Sequence, residues 1–159
     1  MNDIYKTLKD LKIKFVQHDH PPLYTCEQAE KYYVDIKGGK SKNLFLRNAK
    51  GNKHYLVVVE SHKSVDLKSL AKSLDEKNLS FASPERLEKR LGLTPGAVSP
   101  FGLINDKKKE VVVIADSGLF EHKKLHFHPN INTATLQISS EDFKKFLSWT
   151  SNNIKFIKF

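Results

Sequence analysis

The sequence predicts an α+β fold built on a largely antiparallel or mixed sheet. Three observations carry that expectation. Strand-like runs pair off around polar, glycine-bearing turns, most clearly residues 44–47 with 54–60 across 48–53. Helical stretches fall between such pairs without a regular strand–helix–strand alternation. Tyr55-Leu56-Val57-Val58-Val59 is continuously apolar, which marks a central strand covered on both faces. With 159 residues and no repeat, low-complexity tract or linker, the chain reads as one domain over 1–159.

The elements follow in order. Ile4, Leu8 and Leu11 share one helical face over residues 3–12, with Asp3 placed as the cap. Residues 13–17 alternate around Phe15 as a short strand, which His18-Asp19-His20-Pro21-Pro22 stops. Thr25 caps a short helix to Tyr33, with Gln28 in capping-box position. After the first hairpin, residues 66–74 form a helix with Leu67, Leu70 and Leu74 inward, and residues 79–81 a brief strand. Ser83 caps the next helix, Pro84 occupies its first turn, and Gly92 ends it after Leu91. Residues 102–104 and 110–115 read as a second hairpin with a basic tip, Lys107 to Lys109, and residues 116–120 as a turn. Two strands follow at 125–130 and 133–138, then a helix from Glu141 to Trp149 capped by Ser140, and a polar, frayed tail.

Between the helix ending at Leu91 and the second hairpin lies Thr94-Pro95-Gly96-Ala97-Val98-Ser99-Pro100-Phe101-Gly102. Two prolines and two glycines exclude a helix or strand interior, while Ala97, Val98 and Phe101 are too apolar for a solvated linker. A rigid, partly buried loop that lets a ligand approach the main chain fits this composition, as does a tight helix-to-strand connection.

Net charge is +9, which favours a polyanionic partner through counterion release; a lysine-rich soluble protein without one would look the same. No apolar run is long enough to span a membrane, and the first residues lack a signal layout. The single cysteine, Cys26, excludes an internal disulfide and suits a reducing cytoplasm, the expected location. Gly39-Lys40-Ser41 imitates the end of a phosphate-binding loop, but Val34 stands where that motif needs glycine, and a strand follows instead of a helix. Cys26 has no visible base, and no Gly-x-Ser-x-Gly elbow exists. His122, His126 and His128 lie close in sequence, and in a strand the last two would share a face. A zinc site wants three or four ligands, so no metal and no cofactor is expected.

Three segments then stand in order and register: Lys42-Asn43-Leu44-Phe45-Leu46, Gly96-Ala97-Val98-Ser99-Pro100-Phe101-Gly102, and His128-Pro129-Asn130-Ile131-Asn132-Thr133-Ala134-Thr135. Together they resemble the YbaK/prolyl-tRNA synthetase editing-domain superfamily, most closely its freestanding alanyl-specific editing factors of the ProXp-ala or PrdX type. The resemblance spans nearly the whole chain. It implies a curved, mixed and mostly antiparallel sheet with flanking helices. It also implies hydrolysis, in trans, of alanine wrongly esterified to proline tRNA. The implied partners are the acceptor end of that tRNA and, as a further candidate, prolyl-tRNA synthetase. Carried over by position, Lys42 is expected to hold the phosphate of the terminal adenosine, and Asn43 to be its polar neighbour in the pocket. Gly96 and Pro100 match a Gly-x-x-x-Pro loop whose backbone holds the aminoacyl end, with Ala97, Val98 and Ser99 between them. His128 matches a substrate-positioning histidine, and Asn130 accompanies it. Val98, Thr133, Ala134 and Thr135 are expected to line a pocket too small for proline, a second sieve of the kind that a synthetase needs against smaller amino acids. Cysteinyl-tRNA deacylation and a catalytically silent tRNA- or synthetase-binding module remain open beside this reading.

Overall fold

Helix α1 (Ile4–Asp10) begins where the Asp3 carboxylate accepts the Tyr5 N–H at 2.9 Å, and it buries Ile4 and Leu8. The computed structural model describes residues 3–22 and 39–159; Cys26 and the helix expected from Thr25 to Tyr33 lie outside them. The strands are β1 (Val16–Asp19), β2 (Ser41–Asn48), β3 (His54–Glu60), β4 (Leu79–Phe81), β5 (Val111–Asp116), β6 (Lys124–Phe127), β7 (Ala134–Ser139) and β8 (Ile154–Ile157). Among the described residues they form two sheets, β1-β7-β6 and β4-β2-β3-β5-β8. Pairing is antiparallel except at β3–β5 and β5–β8, so the α+β class with mixed, mostly antiparallel sheet stands. The sheets meet at Gly39, whose N–H donates to the Lys124 carbonyl at 2.7 Å and whose carbonyl accepts the His126 N–H at 3.2 Å.

Strand β3 sits in the middle of five and is buried along its whole length, as its continuous apolar run requires. Its pleat sends Leu56 and Val58 into the main core and Tyr55 and Val57 into a second core under helix α2 (Leu67–Ser73). Helix α3 (Pro84–Leu91) follows its sequence signals: the Ser83 hydroxyl accepts the Arg86 N–H, Pro84 opens the helix, and Gly92 closes it at φ 66. Helix α4 (Ser140–Thr150) packs Phe143, Phe146 and Leu147 into the main core.

Four expectations need correction. The second hairpin does not form. Pro100 brings no N–H, and the Ser99 hydroxyl accepts the Phe101 N–H, so Pro100–Asn105 winds into a 3-10 helix. Strand β5 instead lies parallel between β3 and β8. The tail is not frayed: the Asn152 amide donates to Asp106 Oδ2 and to the Val111 carbonyl, both at 2.8 Å, and pins β8 to the sheet. The cap of α4 is Ser139, the last residue of β7, which accepts the Asp142 N–H at 3.0 Å. Strand β1 begins at Val16 and continues through His18 and Asp19, because β7 offers them partners at Thr135 and Ala134.

Candidate active site

Strand β2 presents Asn43, Phe45 and Arg47 on one face, and Phe45 belongs to the main core beside α3. Asn43 therefore points toward the loop after α3, where its Nδ2 donates to the Val98 carbonyl at 3.3 Å. From the other side, Asn130 Nδ2 donates to the Phe101 carbonyl at 3.4 Å. Two separate segments thus tether the same loop three residues apart. Both amide oxygens, Asn43 Oδ1 and Asn130 Oδ1, are buried without a partner among the described residues. A buried acceptor left unpaired costs about 1–3 kcal/mol, so these two atoms mark a place where a donor belongs. Asn130 adopts the left-handed conformation at φ 65, which asparagine tolerates better than most residues.

His128 lies one residue beyond the end of β6. Its Nδ1 is 2.9 Å from the Ala134 carbonyl, which can only accept, so Nδ1 carries the proton and Nε2 keeps its lone pair. Burial holds His128 below the usual imidazole value; the Ala134 carbonyl pulls the other way, and nearby His20 adds a smaller push down. The ring is therefore neutral at neutral pH and able to accept a hydrogen bond. The ring of His20 stands edge-on to it, centroids 6.0 Å apart. His20 Nδ1 donates to the Pro21 carbonyl and its Nε2 accepts the Thr135 hydroxyl at 2.8 Å. The His20 N–H also donates to the Thr133 carbonyl at 3.0 Å.

Asn43, Val98, Asn130, His128, Ala134 and Thr135 are thus brought together or joined through one partner. Ala97, Ser99 and Pro100 are buried in the same loop, with the Ser99 hydroxyl occupied as a cap. Gly96 sits half-buried in the 3-10 turn Pro95–Ala97 without a positive φ, so what it contributes is the absence of a side chain. Gly102 has a packing reason instead, since a Cβ there would lie 2.6 Å from Leu93 Cδ1. Thr133 is exposed, just before β7. Lys42 is adjacent to Asn43, but alternation starts its side chain on the opposite face of β2, with Leu44 and Leu46. Its ammonium has no acidic partner among the described residues, so its charge is uncompensated.

Two features were not legible in sequence. His20 stood inside a run read as a strand stop, and only its hydrogen bonds to Thr135 and the Thr133 carbonyl, beside β7, reveal it. The second is a charged knot behind the start of β2. Lys63 bridges Glu60 (2.8 Å) and the fully buried Asp116 (2.9 Å), Glu60 also meets His122, and Asp116 accepts the Glu60 and Gly118 N–H groups. Burial alone would raise the Asp116 carboxyl, but Lys63 and those two N–H groups outweigh it and hold it low. His122 packs against Gly39, so the knot fixes the point where β2 begins. No group of three or more His, Cys, Asp or Glu side chains able to hold a metal occurs among the described residues, and His126 and His128 do not share a strand.

The family model described as "Aminoacyl-tRNA editing domain" matches residues 20–146. The chain is 44% identical over 151 residues to the "Prolyl-tRNA editing protein ProX" of Acetoanaerobium sticklandii, covering 95% of this chain and 92% of that protein. It is 34% identical over 150 residues to the "Prolyl-tRNA synthetase associated domain-containing protein 1" of Bos taurus, covering 92% and 87%. Among solved structures, the hypothetical protein APE2540 superposes with a TM-score of 0.75 at 18% identity, covering 96% of this chain and 97% of that one, a likeness of fold alone.

Proposed function

This chain belongs to the aminoacyl-tRNA editing domain family, and on that premise we propose that it hydrolyses alanine from mischarged proline tRNA in trans. The observation that carries the reading is the pair of unpartnered amide oxygens on Asn43 and Asn130, both tied to the loop after α3. An aminoacyl ester supplies the missing donor: its α-ammonium group can donate to both. That contact is absent from an uncharged or deaminated end.

An aminoacyl ester is already activated, so the protein needs to orient one water and stabilise the developing oxyanion. Main-chain N–H groups of the Gly96–Ser99 stretch other than that of Ala97, which donates to the Thr94 carbonyl at 2.9 Å, serve the oxyanion. The neutral His128 Nε2 accepts a hydrogen from the attacking water or from the neighbouring ribose hydroxyl. As the water oxygen bonds to the carbonyl carbon, the ester C–O bond breaks and the proton ends on the ribose oxygen. Lys42, which has no acidic partner among the described residues, is assigned the terminal phosphate, reaching it from the face of β2 opposite Asn43. Val98, Ala134 and Thr135 close the pocket around a methyl side chain, so the prolyl ring is refused by size. The "Prolyl-tRNA editing protein ProX" at 44% identity supports the proline-tRNA assignment.

Deacylation measured on alanyl-, cysteinyl- and prolyl-charged proline tRNA tests the proposal. Turnover of the alanyl ester in clear preference to both others is expected. Preference for the cysteinyl ester would reassign the substrate, and binding without hydrolysis would leave a silent module.

A further inference from the structure

The loop and its asparagines do not use the opposite end of β2, where the chain concentrates positive charge. Arg47 is the last residue of the β2 face that begins with Asn43 and buries Phe45 between them, and Arg86 rises from the first turn of α3. Both guanidinium groups close over Gly51 at the hairpin tip. A Cβ on Gly51 would lie 2.9 Å from Arg86 Nη2 and 3.2 Å from Arg47 Nη2, so the two groups stand within about 6 Å of each other. Neither has an acidic partner among the described residues. Arg47 spends two of its five donors on the Asn48 and Ala49 carbonyls, and Arg86 spends Nη1 on Gly51 O and His54 Nε2. The remaining donors stay unspent; those of Arg86 face an open cleft of about 470 Å³ that Lys89 and Arg90 also line, and Arg47 meets Gly51 at its edge. Against these four cations stand two carboxylates, Glu85 on the wall and Glu110 paired to Arg90.

The neighbouring His54 reports the resulting field. It is buried, stacked on Phe45 at 5.5 Å, and held neutral first by burial and then by Arg90, Arg86 and Arg47. Paired, unspent guanidinium donors with no anion of their own match the bidentate geometry of a phosphate. Four strand steps separate Arg47 from Asn43, roughly 13 Å at about 3.3 Å per residue. That is the length of roughly four stacked nucleotides at about 3.4 Å a step.

The geometry points to a second RNA contact, in which Arg47 and Arg86, flanked by Lys89, grip a backbone phosphate of the acceptor stem while its charged 3′ end lies at Asn43. This rests on the tRNA substrate proposed above. Contacts of this kind position the helix without reading its bases.

The test is binding of an uncharged RNA hairpin carrying the acceptor stem and its single-stranded 3′ end, followed by fluorescence anisotropy across a salt series. In the Arg47→Gln/Arg86→Gln variant the Kd is expected to rise at least about tenfold, and the slope of log affinity against log salt to shrink by about one to two. The His54 ring, followed by NMR titration, is expected to take up a proton at higher pH when the hairpin is bound, since the phosphate cancels part of the arginine field. Should the double variant melt early, the exposed Lys89→Glu change gives the same readout without touching the hairpin tip. Unchanged Kd and salt slope in both variants would overturn the inference. Because the hairpin carries no amino acid, the outcomes separate. Arginine-dependent binding by a chain that deacylates nothing leaves this site standing and removes the proposed function. Full deacylation with an unaltered KM in the variants does the reverse.

Discussion

Replacing His54 by glutamine isolates one electrostatic consequence of the fold. The imidazole is 2% exposed, and its Nε2 lies 3.1 Å from Arg86 Nη1, which can only donate. Burial and the fields of Arg90, Arg86 and Arg47 lower its pKa from 6.5 to about 4. In the unfolded chain the ring takes its proton near 6.5; in the folded chain it does so near 4. Between those values the unfolded state binds more protons, so stability is full above 6.5 and declines as the pH falls toward 4. At 1.36 kcal/mol per pH unit the loss between pH 7.5 and pH 5 is about 2 kcal/mol. Glutamine keeps an acceptor for Arg86 but cannot titrate. Guanidinium unfolding of both proteins at pH 7.5 and pH 5 should therefore show a loss about 2 kcal/mol smaller in His54→Gln. His128 contributes with the same sign in both proteins and cancels in the comparison. An equal loss in wild type and variant would refute the reasoning.

Other predictions follow from the same geometry. Lys42→Ala should lower kcat/KM on alanyl-tRNA by about 10- to 100-fold, the worth of one charge-assisted contact, with an unchanged melting temperature, since Lys42 has no acidic partner among the described residues. Asn43→Ala should abolish most of the discrimination between alanyl- and the deaminated lactyl-tRNA, read as the ratio of their kcat/KM values. Val98→Ala should widen the pocket and raise the prolyl-to-alanyl rate ratio by about tenfold, within the range of 1–3 kcal/mol per methylene-sized change. Because burial lowers the His128 pKa, deacylation should persist as the pH falls through 6.5 and decline only below it; a decline centred at or above 6.5 would contradict a buried neutral ring. Asp116→Ala should cost about 1–3 kcal/mol in chemical unfolding for each of the two buried N–H groups it leaves without an acceptor, while Lys63 keeps Glu60.

Local chemistry made much of the fold readable. Ser83, Pro84 and Gly92 bound α3 as their side chains dictate, and the unbroken apolar run at 55–59 announced a central strand. What escaped was decided at long range. Strand β8 exists because Asn152 reaches Asp106 across 46 residues, which no local pattern in a polar tail displays. Basic residues at 107–109 looked like a hairpin tip, but β5 finds its partners in β3 and β8. The candidate site divides in the same way. Asn43, Gly96 and His128 stood out through their segments, whereas His20 and the Glu60–Lys63–Asp116–His122 knot emerge only when distant strands are brought side by side. Gly102 carried the opposite lesson: a glycine in a candidate binding loop is there because Leu93 leaves no room for a Cβ.

The most direct measurement is an NMR titration of the protein with a hydrolysis-resistant amide analogue of alanyl-adenosine, following backbone and asparagine side-chain resonances. Shifts concentrated at the Asn43 and Asn130 side-chain amides, the main chain from Gly96 to Phe101 and the His128 ring are expected, with the lactyl analogue producing far weaker changes at the two asparagines. Saturable shifts elsewhere, or equal responses to the amino and deaminated analogues, would contradict the site.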